Sequence, residues 1–189
     1  MHDAGVPILV AWESFYVIIG SSAAALTGLM FIAITLMGEA RGRVPGIDLG
    51  VVAFNSPTVV HFCMAFLVSA LLSAPWSQLS HTAIALDAAG AGGLIYGFVV
   101  LRRMLRMGKE TEYELVMEDW IWHIVFPFVA YAMIVVAAVC LERWTELSLF
   151  AVAAATLVLL FSCIHNAWDI VTYVTLKGHD KEKPKRGRH

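Results

Sequence analysis

The chain has 189 residues, of which 59% are hydrophobic and 15% are charged, and its net charge at pH 7 is -2. Soluble domains typically carry about 25% charged residues. Together with a mean hydropathy of +0.74, this composition excludes an ordinary soluble domain and predicts an integral membrane protein. Its cysteines, Cys63, Cys140 and Cys163, lie inside apolar runs and are odd in number, which argues against a disulfide framework.

Five apolar runs are long enough for helices that cross a bilayer, which requires roughly 20 residues each. We predict an all-α, polytopic membrane helical bundle with five transmembrane helices at about residues 12–37, 57–74, 82–101, 120–141 and 147–176. Residues 1–176 form one transmembrane domain, and residues 177–189 form a basic cytoplasmic tail. Because residues 1–13 contain no Lys or Arg, we expect no cleavable signal peptide, and the first run is a permanent span.

Two prolines indicate local features of the predicted helices. Ser56 is a suitable N-cap and Pro57 suits the first helical position, so span 2 is predicted to begin at Pro57. Pro127 lies inside span 4 and cannot donate to the carbonyl of His123, so we expect a kink there.

The distribution of basic residues predicts the orientation in the membrane. Of the 13 Lys and Arg residues, only Arg143 falls on the side of the predicted bundle that carries the N-terminus. The positive-inside rule therefore places the N-terminus outside and the C-terminus in the cytoplasm. Tryptophan agrees, because all six Trp residues fall at predicted span boundaries. We predict an integral protein of a bacterial-type cytoplasmic (inner) membrane.

Small residues recur at helical spacing in two spans. Gly20, Ala24 and Gly28 do so in span 1, and span 3 carries Ala89, Gly93 and Gly97. Such stripes allow helices to approach closely. With so little soluble mass, we expect a homo-oligomer whose other partner is the lipid bilayer. The basic tail is too short to predict nucleic-acid binding.

The candidate site is a set of polar residues at membrane depth. Span 5 carries a polar face formed by Ser162, His165, Asn166 and Asp169, at positions i, i+3, i+4 and i+7. His61 and His123 come from two other spans at the same predicted depth, near the cytoplasmic side. Ionisable groups inside membranes are costly and tend to be functional. The predicted lining of a pore or vestibule is His61, His123, His165, Asn166, Asp169 and Asn55.

Three functions fit this pattern. The first is a small oligomeric channel or transporter with a polar vestibule on the cytoplasmic side, gated by histidine protonation. The second is a metal- or haem-dependent intramembrane enzyme or redox protein. In it His61, His123, His165 and Asp169 would bind a transition metal (Zn or Fe), or two of the histidines would bind a b-type haem. The third is a non-catalytic membrane scaffold, in which the polar residues hold helices together. Transport is favoured slightly, and whether the protein is an enzyme stays open.

Overall fold

The structure is a computed structural model that describes residues 5–41, 49–110 and 117–182, with side chains for residues 8–35, 57–106, 117, 120–169, 171 and 172. These residues form helices joined by short turns. The elements are α1 (Gly5–Arg41), α2 (Leu49–Ser73), α3 (Leu79–Glu110), α4 (Met117–Trp120), a π-helical turn (Ile121–Val125), α5 (Phe126–Cys140) and α6 (Thr145–Glu182).

The helices are apolar enough to form a membrane-spanning bundle. Four long stretches have the length and hydropathy of membrane spans: Ile8–Thr35, Leu79–Arg106, Ile121–Cys140 and Thr145–Asp169. The shorter stretch Pro57–Ser73 in α2 is also apolar. Large hydrophobic side chains such as Ile84, Ile95 and Val139 project from the bundle, as expected of surfaces that face lipid. The described residues are therefore almost entirely helical, with four to five helices apolar enough to span a membrane.

Successive long helices run antiparallel. Gly20 early in α1 lies against Ser69 late in α2, and Gly90 in α3 lies against Val135 in α5. Helix α2 packs on α1, α3 and α6, while α6 packs on α5, α2 and α1. The largest buried cluster includes Tyr16, Leu72, Leu86, Leu141 and Leu149. It fills the end of the bundle that holds the beginning of α1, and the polar residues described below lie towards the other end.

The prediction that the second helix begins at Pro57 was wrong, although the apolar stretch within it does run from Pro57 to Ser73. Helix α2 begins at Leu49, and Pro57 lies inside the helix rather than at its first position. A proline inside a helix removes the hydrogen bond to the carbonyl four residues earlier and can kink the helix without ending it. Residues 47–54 are apolar enough in sequence to extend the helix, so the Ser-Pro signal did not mark its beginning.

The region of Pro127, where a kink was predicted, contains a π-helical turn. The backbone N–H of Phe126 donates to the carbonyl of Ile121, five residues earlier. Pro127 is the second residue of α5 and offers no N–H to the carbonyl of His123. The backbone stays right-handed helical through Val125 and Phe126, so the π-helical turn continues directly into α5.

Two helices extend beyond their predicted spans. Helix α3 continues to Glu110 and carries the basic residues after residue 101. Helix α6 has 38 residues and is about 57 Å long at 1.5 Å per residue, well beyond a hydrocarbon core of about 30 Å. It continues past residue 176 to Glu182, and residues 183–189 of the predicted tail lie outside the described residues.

Candidate functional site

His61 is the centre of the polar region. The residue is 1% exposed and its side chain lies on the face of α2 that is directed into the bundle. Its Nδ1 lies 2.5 Å from the hydroxyl of Tyr131 in α5, and its ring meets the edge of Tyr96 in α3, with centroids 6.0 Å apart. His123, in the π-helical turn, is close enough to interact with it electrostatically. One imidazole thus contacts three other elements.

Tyr131 reaches His61 because α3 provides space for its ring. The ring lies directly against the backbone of Gly93, where an added Cβ would overlap its carbon atoms. The ring of Phe128 packs against Gly97 in the same way, and the side chain of Val135 packs against Gly90. The small-residue stripe predicted in span 3 is therefore the packing surface between α3 and α5 within one chain, and it positions the tyrosine that bonds His61.

Helix α6 packs against this region from another side and makes two specific contacts with it. Cys163 donates from Sγ to the carbonyl of Thr58 in α2 at 3.4 Å. The ring of His165 stacks on Trp122 of the π-helical turn, with centroids 3.9 Å apart and planes 7° from parallel. One face of α6 thus meets α2 and another meets the π-helical turn.

Ser162 and Asn166 project between those two faces. Successive helical residues differ in direction by about 100°, so both side chains point at angles between those of Cys163 and His165. Each is 1% exposed. They therefore face the interior of the bundle, between the sides of α6 that contact α2 and the π-helical turn.

Four polar atoms in this region lack a hydrogen-bond partner among the described residues. They are His61 Nε2, Ser162 Oγ, and Oδ1 and Nδ2 of Asn166. We call the buried polar side chains around them the polar cluster, which consists of His61, His123, Tyr131, Ser162 and Asn166. Buried polar groups in proteins are nearly always satisfied, so several unsatisfied atoms in one place indicate a site for water or a polar ligand.

The predicted site residues separate into three groups. His61, His123 and Asn166 are buried in the polar cluster. His165 lies at its edge, with its side chain 28% exposed and Nδ1 3.1 Å from Oδ2 of Asp169, whose side chain is 56% exposed. Asp169 therefore faces outwards. Asn55 lies in α2, but its side chain is outside those described.

The predicted metal ligands do not form a metal-binding group. No three His, Cys, Asp or Glu side chains in the described part of the chain are arranged to hold one metal ion. His165 stacks on Trp122 and is directed to Asp169, whereas His61 is directed to Tyr131. Since a metal needs its ligands to converge on one point, the set His61, His123, His165 and Asp169 has no such geometry here.

Tyr131 was absent from the sequence-based candidates, and Ser162 was noted there only as part of a polar face. A tyrosine in an apolar run is usually a packing residue, and no local spacing links it to His61, which lies 70 positions earlier. The available signal was indirect. A buried tyrosine hydroxyl seeks a partner, and the glycines of span 3 leave room for a large ring.

Comparison of the chain with family models, curated proteins and solved structures gave no match.

Proposed function

We propose that the protein is a small membrane transport protein, a channel or transporter, in which the polar cluster binds the ion or polar solute that crosses. The observation that supports this most is the set of unsatisfied buried atoms on His61, Ser162 and Asn166. An unsatisfied polar group costs about 1–3 kcal/mol by mutational measures. Several such groups in one membrane protein are explained if an ion or polar solute binds to them and completes their hydrogen bonds.

The geometry favours solute binding by the polar cluster over a role in holding the helices together. Polar side chains that hold membrane helices together do so through hydrogen bonds between helices. His61 and Tyr131 make such a bond, but Ser162 and both atoms of Asn166 bond to no described residue. A permeating solute would complete these bonds transiently, as polar groups in transport paths do.

The cluster also contains two groups that can change charge. Imidazole titrates near physiological pH, and His61 and His123 lie within electrostatic range of each other. Protonation of one therefore opposes protonation of the other. A path lined by this pair is sensitive to pH and to the charge of the solute.

We place the cluster near the cytoplasmic side. The basic residues at the end of α3, including Arg102, Arg103 and Arg106, lie at the same end of the bundle, and positive charge favours the cytoplasm. The path would then open as a vestibule towards the cytoplasm, with His165 and Asp169 at its rim.

We further propose a homo-oligomer that assembles through α1. Its exposed face carries Ser14, Ser21, Gly28 and Thr35 at intervals of seven residues, with Ile18, Ala25 and Ile32 between them. Small residues in a seven-residue repeat permit close, left-handed packing of membrane helices. An added Cβ at Gly28 would contact nothing within the chain, so this part of α1 is open to another copy.

Flux in proteoliposomes tests the proposed function. Purified protein is reconstituted, and passage of small cations, anions and neutral solutes is measured at about pH 5.5 and about pH 7.5, which bracket imidazole titration. We expect flux of at least one solute, changed between the two pH values and reduced at least about tenfold by His61→Phe. His81→Phe is the control, because His81 is exposed at the opposite end of the bundle. Absence of flux for every solute at both pH values would refute the proposal.

A further inference from the structure

We infer that the polar cluster binds a small monovalent anion together with a proton. This inference rests on the proposed transport function and names the class of solute that the site takes. Three observations support it. They are the chemical types of the buried polar groups, the identity of their unsatisfied atoms, and the absence of buried acids among the described residues.

The buried polar side chains favour an anion over a cation. Those that the structure describes are Thr, Ser, His and Asn residues, without Asp or Glu. A dehydrated metal cation needs several oxygen ligands that converge on it, supplied by carboxylates or by rings of backbone carbonyls. Here the available groups include two imidazoles, which are neutral or positive. The nearest described carboxylate on α6, that of Asp169, is exposed and directed to His165.

His61 presents a hydrogen-bond donor to the site. The Tyr131 hydroxyl has one proton, and its partner among the described residues is Nδ1 of His61. When the hydroxyl donates this proton, the neutral ring carries its own proton on Nε2, the atom that has no described partner. When the ring is positively charged, Nε2 also carries a proton. In both arrangements Nε2 can donate to an anion, and anion binding selects them over the tautomer with its proton on Nδ1, in which Nε2 is an acceptor.

Ser162 and Asn166 supply further donors. The hydroxyl of Ser162 and the amide Nδ2 of Asn166 are both unsatisfied, as is the acceptor Oδ1 of Asn166, and by helical position both side chains lie between the sides of α6 that contact α2 and the π-helical turn. A ligand that accepts from an imidazole N–H, a hydroxyl and an amide N–H in a low-dielectric site has the properties of a small anion. Hydrogen bonds to charged groups are stronger than those between neutral groups.

The binding of a proton together with the anion is inferred from charge balance. An isolated charge is very costly at membrane depth, and so is a charged imidazole without a counter-ion. An anion beside His61 and His123 favours protonation of the pair, and the protonated pair favours the anion. The titratable groups around His61 are Tyr96 on α3, Tyr131 on α5, His123 on the π-helical turn and, one turn away, Cys163 on α6. None of them supplies a negative charge that would compete with the anion at neutral pH.

Proton uptake on anion addition tests this inference independently of transport. Solubilised full-length protein is held near pH 6.5, the ordinary titration range of imidazole, in weak buffer with a pH indicator. Sodium chloride or sodium formate is then added. We expect saturable proton uptake that depends on the anion and is unchanged when potassium replaces sodium. Uptake that follows the cation, or no uptake with either anion, would overturn the inference.

Variants connect this uptake to the cluster. Asn166→Asp adds a negative charge at nearly constant volume and is expected to weaken the apparent affinity for chloride and formate at least tenfold. Ser162→Ala removes one donor and is expected to weaken it about tenfold, which corresponds to about 1.4 kcal/mol. Ser69→Ala is the matched control, because Ser69 is an equally buried serine that donates to the carbonyl of Ala65. Unchanged affinity in Ser162→Ala would count against the site even if Asn166→Asp does not fold.

The flux assay separates failure of this inference from failure of the proposed function. Anion flux that is accompanied by proton movement in the same direction is expected. Flux of potassium or of a neutral solute, without anion flux, would leave the transport function standing and overturn the anion assignment.

Discussion

Tyr131 determines how His61 is oriented in the polar cluster. Its hydroxyl bonds Nδ1 of His61, and its ring rests on Gly93 of the neighbouring helix. The tyrosine thereby connects a packing contact between α3 and α5 to the orientation of a histidine in α2. Residues that lack polar groups, such as Gly93, therefore contribute to the chemistry of the site.

Replacing Gly93 is expected to destabilise the bundle. The added methyl group of Gly93→Ala overlaps the Tyr131 ring, and overpacking of this kind costs about 1–3 kcal/mol. Gly92→Ala is the matched control, because a Cβ at Gly92 meets nothing within 4 Å. Thermal unfolding in detergent should show a lower Tm for the first variant and an unchanged or higher Tm for the second. Equal Tm values would contradict the close packing of Tyr131 on Gly93.

Removing the Tyr131 hydroxyl tests the hydrogen bond alone. Tyr131→Phe retains the ring but leaves Nδ1 of His61 unsatisfied, which is expected to cost about 1–3 kcal/mol. Tyr16→Phe is the control, since Tyr16 is equally buried but its hydroxyl lies 3.5 Å from the carbonyl of Leu149, at the limit of a hydrogen bond. Its free energy of unfolding should fall by less than about 1 kcal/mol. A smaller effect at Tyr131 than at Tyr16 would exclude the proposed role of the bond.

At the scale of the elements, the π-helical turn is the feature that arranges the site. Such turns insert an extra residue into a helix and are frequent at functional sites. Here the turn carries Trp122, which stacks on His165, and His123, which is buried beside His61.

Pro127→Ala tests the contribution of this turn. Alanine restores an N–H that can bond the carbonyl of His123, so the helix is expected to become regular and to move His123 relative to His61. We predict at least about a tenfold loss of flux, with stability unchanged or raised, because proline is disfavoured by about 3 kcal/mol in a helix interior. Pro57→Ala is the control, because Pro57 lies in α2 without a π-helical turn. Retention of wild-type flux in Pro127→Ala would show that the turn is dispensable.

The sequence predicted helices better than it predicted their contacts. Apolar runs indicated the five long helical regions, since a helix satisfies its own backbone groups in apolar surroundings, and spacing placed Asn166 and His165 on a polar face. Helix rotation and tertiary partners are not encoded in local spacing. The bond from His61 to Tyr131, the π-helical turn and the outward direction of Asp169 therefore required the structure. The helix start predicted at Pro57 was wrong because proline is compatible with both the first position and the interior of a helix.

For the whole molecule, the proposed oligomer predicts contact along α1. With Cys63, the exposed cysteine, replaced by alanine, Gly28→Cys should cross-link between copies under mild oxidation in membranes. Phe31→Cys is the control, at a similar depth on an exposed flank of α1, about 60° away around the helix. Cross-linking of Phe31→Cys but not of Gly28→Cys would exclude this interface.

The central claim is that the polar cluster exists to bind a transported solute rather than to hold helices together. Asn166→Leu tests it most directly, with stability and flux measured on the same preparation. Because Asn166 is buried with both side-chain atoms unsatisfied, replacing it with a residue of similar size is expected to leave Tm unchanged or to raise it.

Flux in the same variant should fall at least about tenfold, since the loss corresponds to one or more hydrogen bonds to the solute. Thr82→Val is the control, because Thr82 has an unsatisfied, fully buried hydroxyl at the other end of the bundle and should retain its flux. The account predicts a stable Asn166→Leu protein without transport. A destabilised protein whose remaining folded fraction transports normally would contradict it.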